Sequence, residues 1–212
     1  MAEWRLTHMT PMRRAEQRRI GDLIRRTDVA GNVTCYAYDA LHRTTSVTYL
    51  SGPNAASTPT KYYVYDAATV NGVTMANAKG QLAEAYTGSN ASKITDLGFS
   101  YSPRGEVTDV YEATPHSGGY YHVSATYLAN GATLSLATNL AGLPTWTFST
   151  DGEGRFGTAS ASSGQNPVTA TTYDGFGVTG ITFGSADSDS FSHDAVVGGA
   201  EVETSFDIAI PG

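Results

Sequence analysis

A single cysteine, Cys35, is all the thiol in this chain, so no intrachain disulfide exists and the fold must stand on hydrogen bonds and packing. Large apolar side chains are scarce as well. Leu, Ile, Val and Phe together make up 38 of 212 residues, too few for a dense, oily core. No stretch approaches the roughly 18 apolar residues of a membrane-spanning helix. Met1–Pro11 lacks the apolar centre of a secretory signal. Basic residues are concentrated at one end: residues 1–26 carry seven arginines against three carboxylates, whereas 27–212 carry six basic and 17 acidic groups. An acidic body argues against nucleic acid as a partner, because phosphate binding needs a basic face.

What the chain has instead is tyrosine, glycine and a recurring order. The first copy reads Tyr36-Ala-Tyr38-Asp39, a short turn through His42 and Arg43, and then a β-branched run to Tyr49. Degraded copies follow at Tyr63, Tyr65 and Asp66; at Phe99, Tyr101 and Ser102; at Tyr127; at Trp146, Phe148, Asp151 and Arg155; at Tyr173 and Asp174; and at Phe191, His193 and Asp194. With residues 38, 65, 101, 127, 148, 173 and 193 taken as the second aromatic slot, the steps run from 20 to 36 residues. Units this short bury an apolar face only against their neighbours, so the pattern predicts a repeat array whose function resides in its assembled surface.

Each cassette predicts a β-hairpin. Residues i and i+2 of an extended chain share a face, so the paired aromatics form a stripe suited to a half-buried sheet. Asp39, Asp66, Asp151 and Asp174 stand where a strand stops, and an aspartate there hydrogen-bonds the backbone two residues on and opens a turn. Gly31, Gly80, Gly105, Gly131, Gly154 and Gly177 are expected to supply the left-handed conformations that close such turns. The expected fold is therefore all-β: a repeat array of antiparallel β-hairpins pairing edge to edge into a curved strip. Its anticipated limits are a basic lead over residues 1–20, frayed or briefly helical, an array over 21–199 and a tail or truncated repeat over 200–212. Residues 67–79 stretch one turn as an insertion, with Asn71-Gly72 suited to a tight reversal of their own.

The order Asp28-Val-Ala-Gly31-Asn32, Tyr36-Ala-Tyr38-Asp39-Ala-Leu-His42-Arg43 resembles the YD repeats of the RHS family of bacterial polymorphic toxins, also found in insecticidal toxin complexes and teneurins. His42 departs from the usual Gly or Asn before the arginine. The resemblance implies a strip that spirals into a shell around a toxic or otherwise protected polypeptide, a structural role without catalysis or cofactor, and a secreted or cell-surface location for the full-length protein. It implies as partners the remaining repeats of a longer chain and an encapsulated effector. Seven cassettes are too few to close a shell, so an arc of a larger protein is expected.

Other chemistry finds little support. Gly152, Gly154 and Gly157 have the glycine spacing of a dinucleotide site, yet the residues after them cannot supply the helix that would hold a pyrophosphate. His116 and His122 lack a companion ligand at a metal-binding spacing. Asp187 and Asp189 alternate as calcium ligands do, without the rest of a calcium loop. The competing functional class is a binding module, in which exposed tyrosines stack on a glycan.

Overall fold

A computed structural model describes residues 15–17, 21–193 and 203–209. Among these there is no helix, and the chain divides into two compact units. The first holds residues up to Tyr101 together with Tyr111–Tyr120, and the second holds Ser102–Val110 and the residues from Tyr121 onward.

In the first unit the strands are β1 (Ala15–Gln17), β2 (Leu23–Thr27), β3 (Val33–Tyr38), β4 (Thr44–Ser51), β5 (Lys61–Tyr65), β6 (Thr69–Val70), β7 (Val73–Thr74), β8 (Leu82–Ser89) and β9 (Ser92–Tyr101). The main sheet runs in chain order, β1-β2-β3-β4-β5-β8-β9, each neighbour antiparallel. Strand β10 (Val107–Ala113) spans the point where the units divide. The second unit continues with β11 (Tyr121–Tyr127), β12 (Thr133–Thr138), β13 (Trp146–Thr150), β14 (Phe156–Ala161), β15 (Val168–Tyr173), β16 (Val178–Phe183), β17 (Ser188–His193) and β18 (Glu203–Ala209), again in chain order and antiparallel. Strand β1 falls within the expected basic lead, the rest of which lies outside the described residues. Strand β18 falls within the expected tail.

The recurring hairpin has one construction. A bulge sits at the end of the first strand, between Ala37 and Tyr38, Val64 and Tyr65, Thr126 and Tyr127, Ser149 and Thr150, Thr172 and Tyr173, and Ser192 and His193. After it comes a turn in which the first residue's N–H donates to the carbonyl four residues on. The fourth residue's N–H returns a bond to the first residue's carbonyl. Asp39 to Arg43, Ser102 to Glu106, Leu128 to Ala132 and Asp151 to Arg155 all share this pair of bonds. The fourth residue is left-handed, a short loop closed by a bulge residue with positive φ. His42 occupies that place at φ 62°, where its counterparts are glycines. The Asp174 turn is one residue shorter, closing from Asp174 N–H to the Gly177 carbonyl, so Gly177 is not among the positive-φ glycines and its expected role is corrected.

The insertion at 67–79 supplies what the sheet lacks, a cover. Asn71-Gly72 reverses β6 into β7, and Val70, Met75 and Ala78 are buried against Ala83 and Tyr101. Gly98 on β9 is what admits the cover: a Cβ there would lie 2.7 Å from the Cβ of Val70. Nearby, Lys93 bonds Glu84 and lies 3.0 Å from Asp96, which also accepts the Tyr120 hydroxyl at 2.6 Å. Burial and that carboxylate push the Tyr120 phenol up to about 12.

Candidate functional site

The chemistry of this chain is concentrated where one hairpin meets the next. In five cassettes the tyrosine just before the turn reaches back across the sheet and donates its hydroxyl to a main-chain carbonyl. Tyr38 donates to Leu23 at 2.9 Å, Tyr65 to Thr44 at 3.0 Å, Tyr101 to Leu82 at 2.7 Å, Tyr127 to Val107 at 2.6 Å and Tyr173 to Phe156 at 2.8 Å. Every acceptor is the first residue of its strand. The ring therefore covers apolar surface while its polar tip closes a hydrogen bond. Tyr101 is buried and the other four are half-buried.

The arginine after the turn adds a second tie. Arg43 donates Nε to Asp39 Oδ2 at 2.7 Å and both terminal nitrogens to Asp66, at 3.1 and 2.6 Å, with its guanidinium 4.4 Å from the centre of the Tyr65 ring. One cation thus joins its own turn to the next and caps the aromatic between them. The planar fork suits this use, since it can serve two carboxylates and stack at once. The bond from Arg43, helped by the Gly80 N–H, pulls the Asp66 carboxyl down to about 2. At Asp39 burial pushes upward, but bonds from the Arg43 N–H and guanidinium outweigh it and the net shift is downward.

Elsewhere the tie is varied. Arg155 donates to Asp151 at 2.7 Å and lies 4.3 Å from the Tyr173 ring centre, while Asp174 faces His193 at 3.2 Å. Arg104 bonds the carbonyls of Leu128, at 2.7 Å, and Ala129, because Leu128 offers no carboxylate. His42 Nδ1 sits 3.0 Å from Asp22. The first aromatic slots Tyr36, Tyr63 and Phe99 lie two residues before the braced tyrosines. Tyr36, Tyr38, Tyr63 and Tyr65 share one open groove with Thr44 and Val47.

One slot is displaced from its expected place. Phe148 does not adjoin the Asp151 turn; the residue that does is Thr150, which pairs with Phe156 across the bulge as Tyr38 pairs with Thr44. Trp146 and Phe148 are thus both one alternate position early. The three-residue gap from Phe148 to Asp151, against one residue from Tyr38 to Asp39, was the signal in the sequence. Sequence reasoning also missed the carbonyl acceptors, which carry no side-chain signature.

The remaining candidates have ordinary surroundings. Gly152 and Gly154 lie in the Asp151 turn, Gly157 lies in β14, His122 is 2.9 Å from Asp109 and Asp187 accepts from Ser185. Among the described residues no three His, Cys, Asp or Glu side chains gather as a metal would require, and no helix is long and apolar enough to cross a membrane.

The hairpin that carries Tyr38 falls inside a segment with a family match. Residues 19–53 match the RHS Repeat family. No curated protein sequence matches the chain. Among solved structures, the crystal structure of TcdB2-TccC3-TEV superposes with a TM-score of 0.65 at 16% identity, over 85% of this chain and 9% of that one. The crystal structure of TcdB2-TccC3-Cdc42 gives 0.63 at 16% identity, over 82% of this chain and 9% of that one. The chain therefore shares the all-β hairpin fold of those RHS-repeat neighbours and spans less than a tenth of their length.

Proposed function

We propose that this chain is a section of an RHS-type shell, a non-enzymatic wall that encloses or presents a toxin or effector polypeptide and is completed by further repeats of a longer chain. The observation that carries the reading is the phenol-to-carbonyl brace, repeated in strands whose spatial order follows their order in sequence. Such a brace holds consecutive hairpins in fixed register, as a wall requires. The fold similarity to the TcdB2-TccC3 structures supports the same reading. Bacterial origin and secretion or display at a cell surface follow from it.

The glycan-binding alternative is less well supported. The hydroxyls that would serve a sugar at Tyr38, Tyr65, Tyr101, Tyr127 and Tyr173 already serve main-chain carbonyls. The test uses the full-length protein purified from its source and treated with protease before and after addition of denaturant. A shell leaves an enclosed polypeptide intact until denaturant opens it. Digestion of every segment under native conditions would sink the proposal.

A further inference from the structure

Thr150 breaks the brace. Asp151 opens the same turn as Asp39, and Thr150 stands across its bulge from Phe156, so it holds the place that tyrosine holds in the five braced cassettes. Thr133, the first residue of its strand, follows Ala132 as Thr44 follows Arg43. The Thr133 carbonyl is therefore the one a phenol at position 150 would reach. A threonine is too short to do so. Where the missing ring would lie, a cleft of about 300 Å³ opens between Thr133, Leu136, Phe148, Thr150 and Phe156. No charged side chain lines it, and Phe156 is left exposed at its edge.

We propose that this slot is a docking site for the tyrosine side chain of a partner polypeptide. Its ring packs against Leu136, Phe148 and Phe156, and its hydroxyl donates to the carbonyl of Thr133. The occupant is argued from the chain itself. Five equivalent junctions show that this geometry takes a phenol and which carbonyl it satisfies. A mainly apolar cleft whose lining includes Thr133, the residue in the place of the five bracing carbonyls, selects a ring with one donor over a purely aliphatic or charged group. Naming the partner as the enclosed polypeptide rests on the shell reading, whereas the chemistry of the slot does not.

The probe is p-cresol, titrated into the whole chain while the methyl resonances of Thr133, Leu136 and Thr150 are followed. Saturable shifts at Leu136 and its neighbours are expected. Toluene, which lacks the hydroxyl, should bind about fivefold more weakly. N-acetyltyrosine amide should compete better than N-acetylphenylalanine amide. Thr150→Tyr fills the slot from within and should abolish the shifts; Thr150→Phe serves the same end should the tyrosine variant fold poorly. Equal affinity for cresol and toluene would overturn the proposal, as would shifts centred on the Tyr36–Tyr65 groove or shifts that persist in both variants. Cresol binding without a protease-protected polypeptide would leave the slot standing and remove the shell. A protected polypeptide without cresol binding would do the reverse.

Discussion

The hydroxyl of Tyr65 meets the carbonyl of Thr44 at 3.0 Å, and the residue just before Thr44, Arg43, lays its guanidinium over the same ring. Packing, hydrogen bond and cation thus converge on one half-buried side chain. Tyr65→Phe should lose the hydrogen bond alone, about 1 kcal/mol, or a fall in Tm of about 2–4 °C. Tyr65→Ala should lose the packing as well, about 2–3 kcal/mol, less than a fully buried aromatic would cost. Urea and thermal unfolding of both variants check this, and a phenylalanine variant as stable as the parent would remove the hydroxyl from the account.

Asp66 has its carboxyl lowered to about 2 by Arg43. A carboxylate depressed in the folded state adds stability above its unfolded value near 4 and loses it as pH falls through about 2. The parent should therefore show a Tm that declines between roughly pH 4 and pH 2. Asp66→Asn should flatten that decline, and since asparagine tolerates the positive φ of 72° at this place, the change isolates the charge. Added salt should shrink the difference, because the pair is partly exposed.

His42 is left-handed where its counterparts are glycines. Replacement by glycine should relieve strain and raise stability by about 0.5 kcal/mol, the net of a strained residue removed and a freer unfolded chain. The contact with Asp22 is lost at the same time and offsets part of that gain. Calorimetry of the parent and the variant measures the net change.

Gly98→Ala should lift the 67–79 insertion from the sheet, since the new methyl meets Val70 at 2.7 Å. Overpacking of this kind costs about 1–3 kcal/mol. Faster hydrogen exchange at residues 69–76 would report it, and Val70→Ala in the same chain should restore part of the protection. Unchanged exchange would show that the cover yields without cost.

The hairpin grammar was legible in the sequence because alternation and turn chemistry are local: Tyr36-Ala-Tyr38-Asp39 announces its strand, its face and its stop within four residues. Asn71-Gly72 announced its reversal in the same way. The brace was not legible, because its acceptors are main-chain atoms set by register roughly 20 residues away. Counting aromatics placed the slot at Phe148 instead of Thr150 for a related reason. A bulge and turn fix position relative to Asp151, whereas a ring two residues early merely shares the face. Nor did composition show that an apparent loop, 67–79, would bring the buried side chains Val70 and Met75, since its few apolar residues become a core only when laid on Gly98.

Each bracing phenol is answered by a peptide oxygen, an atom every residue possesses, and the five acceptor residues, Leu23, Thr44, Leu82, Val107 and Phe156, have chemically unrelated side chains. The join asks nothing of its receiving half. Modules of this kind can be duplicated, shuffled or left to diverge without a matching change next door, which lets an array lengthen during evolution while each new unit brings its own clasp.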